Sequence, residues 1–199
     1  MKIIIVGATG TIGKKVATEL GNRHEIVSAA SKSGDVRLDI TSFSSILEML
    51  RKIGKFDALI STTGSAYFGP FDIMKEEDFY KGIRSKMMGQ INLVMAGKDF
   101  INDGGSFTLT SGILWRDPIR NGAGLSFVNG ALNSFALSAA IELPRAIRIN
   151  IVSPGLVEDS ADALGAAFPG HVPVTMEKVV AGYVKSVEGF NTGQVIEVV

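Results

Sequence analysis

The sequence predicts a single α/β domain, in which a doubly wound parallel sheet of about seven strands carries helices on both faces. Short, continuously apolar runs alternate with stretches of helical periodicity along the 199 residues. A glycine-rich turn follows the first apolar run at once. No internal repeat, low-complexity tract or linker divides the chain, so one domain spanning residues 1–199 is expected.

The first half of the chain is predicted to begin with a strand buried on both faces, because every residue from Ile3 to Val6 is apolar. The helix after it is expected to end near Gly21, and Thr41 is the predicted N-cap of the second helix. The predicted order is strand 3–6, turn 7–13, helix 14–20, strand 25–30, a very short strand 36–40, helix 42–53, strand 56–61, and one long or broken helix over 76–100.

The second half continues the alternation of strands and helices. Pro144 stands just beyond the predicted end of the longest apolar helix, where it cannot continue the helical hydrogen bonding. The predicted order is strand 105–111, helix 125–141, strand 147–152, helix 175–186 and a closing strand 194–198.

Composition narrows the function classes. Lys plus Arg equals Asp plus Glu at 20 each and no basic block occurs, so neither nucleic acid nor a membrane is an expected partner. Cysteine is absent, which excludes disulfides and Cys-ligated metal, and no spacing typical of metal ligands is present. The apolar start is too short for a signal peptide or a membrane span, so the expectation is a cytoplasmic protein.

The segment Gly7 to Gly13 matches G-x-x-G-x-x-G between a strand and a helix. Glycine allows the sharp turn and a close approach of the backbone to a pyrophosphate, while the helix N-terminus offers free N–H groups and partial positive charge. The alternative is a loop that merely turns, but the strand before it and the helix after it favour dinucleotide binding. The contacts predicted here come from Gly7, Thr9, Gly10, Thr11, Ile12 and Gly13.

The end of the second strand bears on which dinucleotide fits. An acidic residue there would bind the adenosine ribose and repel a 2′-phosphate, but no acid occurs before Asp35. Ser31 and Lys32 would instead hold a 2′-phosphate by a hydrogen bond and by charge, so NADP is predicted ahead of NAD. The alternative is that Lys32 is a solvated loop lysine.

Several segments, in order, resemble those of the short-chain dehydrogenase/reductase family. Besides the glycine loop they are Asp57–Gly64, Gly105–Gly112, the helix Gly124–Leu143, Arg148–Gly155 and Thr192–Ile196. The resemblance implies a Rossmann-like fold, a small carbonyl or alcohol substrate, and a homodimer or homotetramer. Compared with the family, one crossover helix is missing after the second strand. The cofactor contacts that it implies are Asp39, Ile40, Thr62, Thr63, Gly64, Pro154, Gly155 and Leu156. Asp39 is equally well explained as a cap for the next helix.

The chemistry that the resemblance implies is altered in this chain. The family's active-site helix carries Tyr-x-x-x-Lys, and alignment on Glu142 places Leu125 and Asn129 at those two positions. Gly112 falls at the family's catalytic Ser with Ser111 one residue early, and Lys86 falls at its Asn. Losing a positioned general acid costs about 10²–10⁴ in rate. Ser111 and Lys86 are therefore the candidate catalytic residues.

Other candidates have structural alternatives. Tyr67 is considered as a substitute acid and His171 as a lid residue that titrates, whereas Tyr80 and Tyr183 look like core or interface and His24 like surface. Three functions remain open: an NADP-dependent oxidoreductase with altered proton delivery, an NADP-binding sensor or regulator without turnover, and a structural module that binds neither cofactor nor substrate.

Overall fold

Seven parallel strands form one sheet in the computed structural model, which describes residues 1–199, and the order β3-β2-β1-β4-β5-β6-β7 is that of a Rossmann-like doubly wound fold. This confirms the predicted fold class. The strands are β1 (Lys2–Val6), β2 (Glu25–Ala30), β3 (Val36–Arg37), β4 (Phe56–Ser61), β5 (Ile101–Thr110), β6 (Arg148–Pro154) and β7 (Gln194–Val198). The α-helices are α1 (Thr11–Gly21), α2 (Phe43–Ile53), α3 (Glu76–Gly82), α4 (Met88–Gly97), α5 (Ala123–Glu142), α6 (Ala161–Leu164) and α7 (Met176–Glu188).

Both faces of the sheet are buried, which explains the continuous apolar character of β1. Ile4 and Val6 join the core beneath α2, α4 and α5, whereas Ile3 and Ile5 join the core beneath α1 and α7. Because the strands are parallel, their carboxyl ends lie at one edge of the sheet, where the loops carrying the predicted site meet.

Most predicted elements are present, and the differences lie at their ends. α1 begins at Thr11, inside the glycine pattern, rather than at Lys14. Thr41 is not the N-cap of α2: the Ser42 side chain accepts from the Ser45 N–H, because Thr41 bonds back to Asp39. β3 has only two residues and pairs with β2 alone, at the edge of the sheet.

The link between β2 and β3 contains no helix, as the shortened sequence predicted. Instead, the Asp35 carboxylate accepts from both the N–H and the hydroxyl of Ser28, at 2.9 and 2.7 Å. These bonds hold the pKa of Asp35 below its usual value. The loop is therefore folded back along β2, so Asp35 is tied at Ser28 rather than at the end of the strand.

By length and composition α5 could cross a membrane, the one helix for which this is true. In the structure, however, its Val128, Leu132 and Ala136 are buried, and it packs against β6. The core helix of a globular α/β protein has the same composition. We therefore describe α5 as part of the helical layer over the sheet.

Arg148 opens β6 and caps the end of α7. Its guanidinium donates to the Ser186 and Val187 carbonyls at 2.7 and 2.8 Å, which are carbonyls of the last helical turn, and also to Asn191. Burial lowers the pKa of Arg148, which nevertheless stays charged. Its role is thus structural, although it belongs to a segment that resembles the cofactor-binding family.

We expect Arg148→Met to lower the free energy of unfolding by about 2 kcal/mol, because buried helix carbonyls lose charged donors. That is about 4–8 °C in Tm for a chain of this length, measurable by calorimetry. The matched control is Arg84→Met, whose exposed ion pair with Glu77 is expected to contribute less than about 0.5 kcal/mol. Equal effects of the two substitutions would contradict the capping role.

Candidate functional site

The glycine loop folds so tightly that side chains are excluded from it. Gly7 has φ +90° and lies against Thr62, whose hydroxyl would be 2.8 Å from an added Cβ. A Cβ on Gly13 would overlap the Gly7 carbonyl oxygen, which is backbone and cannot swing away. The N-cap of α1 is Gly10, which offers no side-chain cap, and the first turn holds no acid. The first N–H groups of α1 are thus left for an anion.

The first cavity, of about 260 Å³, lies beside this loop. We call it the glycine-loop cavity. Its predicted members are Gly7, Thr9, Gly10, Ser31, Asp39, Ile40, Thr62 and Thr63, joined by Val6, Ala30 and Leu38. Lys32 is exposed and does not line it, although Ser31 beside it does. No carboxylate other than Asp39 lines the cavity, because Asp35 is held at Ser28.

Asp39 lines the glycine-loop cavity and does not cap α2, whose N-cap is Ser42. Its Oδ1 accepts from the N–H and hydroxyl of Thr41, at 2.9 and 2.7 Å, which organises the entry to α2. These bonds lower the pKa of Asp39, so it is an anion at neutral pH. It also lines the glycine-loop cavity, where Oδ2 remains to accept from an amine.

The second cavity, of about 180 Å³, lies on the other side of the first turn of α1; we call it the inner cavity. It brings together Lys86, Ser111, Leu125 and Asn129 from four separate elements. The other lining residues are Ile12, Gly112, Ile113, Leu114, Pro154, Gly155, Leu156, Val157, Ser160, Leu164 and Phe168. All four positions singled out as departures from the resembling family therefore face one space.

Lys86 reaches this cavity from a π-helical turn, Ile83–Met87, that separates α3 from α4. Such single turns are frequent at functional sites, because they redirect side chains within a helix. Gly64 crosses closely over this turn: at φ +114°, its added Cβ would be 2.6 Å from the Lys86 Cα. Gly64 is thus a support for Lys86 and does not line the glycine-loop cavity.

The Lys86 ammonium donates to the Ser111 carbonyl at 2.9 Å. Burial lowers its pKa to about 8, since no carboxylate lies near enough to offset desolvation. Lys86 is the only titratable side chain lining the inner cavity. It is therefore largely charged at neutral pH while holding a proton that it can give up.

Two polar atoms of the inner cavity lack partners. The Ser111 hydroxyl and the Asn129 Oδ1 make no hydrogen bond, although the two residues are only 3% and 2% exposed. Buried polar groups are normally satisfied, so orphaned atoms in a cavity indicate a ligand or water that binds there.

Gln90 is a site residue that the sequence analysis missed. Its side-chain amide donates to the Thr110 carbonyl at 2.9 Å and to the Lys86 carbonyl at 3.2 Å, and its Oε1 accepts from the Thr110 N–H. It thereby joins the π-helical turn to the end of β5, next to Ser111. Only its position four residues after Lys86 was visible in the sequence.

The remaining candidates lie elsewhere. Tyr67 lines neither cavity and packs against Gly69 and Gly124. Tyr183 is buried in the core with its pKa raised, its hydroxyl bound to Thr110. His24 was expected at the surface but is part-buried, with Nε2 2.8 Å from the Glu188 carboxylate.

His171 lines an outer cavity of about 370 Å³ that shares Ile113, Gly155 and Leu156 with the inner one. Its Nε2 lies 3.8 Å from the Asp117 carboxylate, and its ring packs edge-on against Phe168. His171 is thus placed at the predicted lid and does not line the inner cavity.

The two cavities are arranged for one elongated ligand. Gly10 lines the glycine-loop cavity and Ile12 the inner cavity, so the first turn of α1 lies between them with its uncapped N–H groups. A dinucleotide with its pyrophosphate at this turn would direct its two nucleosides toward the two cavities. Pro154, Gly155 and Leu156, predicted as cofactor contacts, line the inner cavity as that arrangement requires.

The chain is similar to known proteins in both sequence and structure. Residues 2–183 match a family model described as enoyl-(acyl carrier protein) reductase. A hydroxynaphthalene reductase-like protein, Arp2 of Metarhizium brunneum, is 27% identical over 186 residues, covering 80% of this chain and 70% of that protein. The solved structure of lin1944 from Listeria innocua has 48% identity and a TM-score of 0.99, with both chains fully covered. A small-chain dehydrogenase in complex with NADPH has 28% identity and a TM-score of 0.88, covering 100% of this chain and 96% of its own.

Proposed function

This chain belongs to the short-chain dehydrogenase/reductase family, and from that premise we propose that it is an NADP-dependent oxidoreductase acting on a small carbonyl or alcohol through a non-standard site. The observation that carries the proposal is the pair of cavities on either side of the uncapped first turn of α1. A bound nicotinamide dinucleotide would supply hydride in the inner cavity. Lys86, Ser111 and Asn129 would bind the substrate oxygen there, and the apolar walls would exclude water.

The preference for NADP rests on charge at the end of β2. Ser31 lines the glycine-loop cavity, Lys32 follows it at the surface, and Asp35 is held away by Ser28. A 2′-phosphate would gain a hydrogen bond and a cation there, and it would meet no acid at the strand end. The small-chain dehydrogenase solved with NADPH is consistent with this choice.

Titration with NADPH and with NADH, followed by reduced-nicotinamide fluorescence, tests the proposal. We expect NADPH to bind more tightly, and Lys32→Glu to weaken NADPH binding about tenfold while leaving NADH binding nearly unchanged. Lys55→Glu is the control, because Lys55 precedes β4 at the opposite edge of the sheet. If neither nucleotide binds, the proposed function is wrong; equal losses for both nucleotides would argue against a 2′-phosphate at Lys32.

Turnover is expected to depend on pH through Lys86. No other titratable side chain lines the inner cavity, so the substrate oxygen would meet the charged ammonium below a pH of about 8 and a neutral amine above it. kcat/KM should therefore be level at lower pH and fall about tenfold per unit above about 8. Lys86→Arg, which stays charged, should remove that fall; a wild-type profile that is level through pH 9 would contradict the role of Lys86.

The alternative is a sensor or regulator that binds NADP without turnover. It is favoured by Leu125, which has no proton to give, and by the neutral Asn129 at the positions that the family resemblance assigns to Tyr and Lys. Tight NADPH binding without oxidation by any small carbonyl compound would select this alternative.

A homodimer or homotetramer in the cytoplasm remains the proposed state of the protein. The exposed face of α5 supports self-association, because Phe127, Leu137 and Ile141 are 45%, 49% and 88% exposed. Large apolar side chains in such numbers on one helix are typical of surfaces that pair.

A further inference from the structure

Resting on the proposed function, we propose that Gln90 is the positioning residue of the inner cavity, because its side-chain amide fixes Lys86 and Ser111 relative to each other. Gln90 does not line the cavity, so it would touch neither cofactor nor substrate. It lies in the first turn of α4 and is fully buried, with an exposed fraction of 0%. Its effect on the site would pass entirely through the groups that it holds.

The end of β5 lacks a neighbouring strand on one side. β4 pairs with β5 only as far as Ile60 and Thr108, two residues before Thr110. On the other side β6 continues, and the Ser111 N–H donates to the Val152 carbonyl. Thr110 is buried, so its N–H and its carbonyl need partners that β4 no longer provides.

The Gln90 carboxamide takes the place of that missing strand. Its Oε1 accepts from the Thr110 N–H at 2.9 Å, and its Nε2 donates to the Thr110 carbonyl, also at 2.9 Å. One donor and one acceptor on the same planar amide thus match one residue of backbone, as a neighbouring strand would. These two bonds hold Thr110, and with it the next residue Ser111, at a fixed place against α4.

The same amide also holds the residue that carries the buried ammonium. Its Nε2 donates to the Lys86 carbonyl at 3.2 Å, one helical turn back along the chain. Lys86 lies in the π-helical turn, where the backbone departs from regular α-helical bonding. At the end of its side chain, Nζ donates to the Ser111 carbonyl at 2.9 Å. Lys86 is therefore held at its main chain by Gln90 and at its Nζ by Ser111.

These contacts form a closed circuit of bonds. Gln90 holds Thr110, which is joined covalently to Ser111. The Ser111 carbonyl accepts from Lys86, and the Lys86 carbonyl accepts from Gln90. None of these residues can move far without stretching at least one bond. The circuit leaves two Lys86 N–H groups and the Ser111 hydroxyl unused, and both residues line the inner cavity.

The alternative is that Gln90 only satisfies buried backbone groups of β5. The chain contains a matched case, because Asn150 in β6 is also 0% exposed and its amide is also fully engaged. Its Nδ2 donates to the Asn191 carbonyl at 2.8 Å and to the Ser186 hydroxyl at 3.3 Å, and its Oδ1 accepts from the Gln194 N–H. Asn150 lines neither the inner nor the glycine-loop cavity. Replacing it removes a buried amide of the same kind and leaves the circuit intact.

An NMR titration of Lys86 separates the two roles. The lysine ε-carbons are labelled with carbon-13, and the Lys86 signal is assigned by its loss in Lys86→Arg. In the wild type we expect Lys86 to titrate with a pKa of about 8, because its ammonium is held in a buried place. Gln90→Met should raise that pKa by about one pH unit or more, since an ammonium that is no longer held moves toward water.

Asn150→Leu is the control. It should lower the unfolding temperature about as much as Gln90→Met, since each variant loses buried hydrogen bonds, and it should leave the pKa of Lys86 at about 8. Unchanged titration of Lys86 in folded Gln90→Met would overturn the proposal, and so would an equal rise in Asn150→Leu. Should Gln90→Met not fold, Gln90→Asn keeps a buried amide but is one methylene too short to reach both Thr110 and Lys86. The same rise is then expected, and an unchanged pKa would contradict the proposal.

The outcomes separate this inference from the proposed function, because the titration needs neither cofactor nor substrate. In protein that turns over, the pH above which kcat/KM falls should rise in Gln90→Met together with the pKa of Lys86. A pH profile that does not follow the measured pKa would remove Lys86 from the proposed reaction. Failure to bind any nicotinamide nucleotide would overturn the proposed function alone.

Discussion

Gly13→Ala is expected to lower the free energy of unfolding by about 2–3 kcal/mol, whereas Gly10→Ala leaves it nearly unchanged. The methyl group at residue 13 would overlap the Gly7 carbonyl oxygen, which belongs to the tightest part of the loop. At residue 10 the closest atom is that same oxygen at 3.3 Å, so a shift of a few tenths of an ångström suffices. Thermal unfolding should show a fall of about 5–10 °C for the first variant.

The same pair of variants separates an effect on folding stability from an effect on cofactor binding. Gly10 lines the glycine-loop cavity at the uncapped N-terminus of α1, so its new methyl group would stand where a pyrophosphate has to approach. We expect Gly10→Ala to fold normally and to bind NADPH at least about tenfold more weakly. Wild-type affinity in this variant would mean that no phosphate lies against Gly10.

Carbonyl reduction is expected to appear when a proton donor is restored, provided that the inner cavity still contains only one ammonium group. Leu125→Tyr with Asn129→Lys places a phenol and an ammonium one helical turn apart on α5. Lys86 already lines the inner cavity. Two ammonium groups in about 180 Å³ would repel each other, and each would lower the pKa of the other. The triple variant that adds Lys86→Asn should therefore outperform the double variant.

The expected gain for the triple variant is about 10²–10⁴ in kcat/KM for a small ketone, which is the usual contribution of a positioned acid. NADPH oxidation with cyclohexanone measures it. Leu125→Phe is the matched control, because it adds the ring without the hydroxyl. No gain in either the double or the triple variant would show that the substrate pocket itself has changed.

The sequence located the glycine loop because its signal is local. A strand, glycines at fixed spacing and a helix are contiguous from Lys2 to Gly21, and each depends on neighbours within a few residues. The role of Asp39 could not be decided in the same way. Asp39 bonds to Thr41 nearby and lines a cavity together with Gly7, which is far away in sequence.

Two residues of segments that resemble the family make structural contacts. Arg148 resembles part of a cofactor segment, yet its guanidinium binds carbonyls at the end of α7. Gly64, which was predicted to contact the cofactor, lies against the backbone of Lys86. Both contacts depend on which elements of the fold lie next to each other. Resemblance between segments of sequence carries no information about that.

By itself, the sequence determined the fold class, the order of strands and helices and the glycine loop. The spacing of apolar residues, the residues that end helices and the glycines of turns are all signals that depend on residues close together in the chain. Only the tertiary structure decided that Lys86, Ser111 and Asn129 share one cavity. They come from a π-helical turn, the end of β5 and the middle of α5, and the parallel sheet brings these elements to one edge. The orphaned hydroxyl and amide oxygen, and the burial that lowers the pKa of Lys86 to about 8, arise only when those surfaces close over one another.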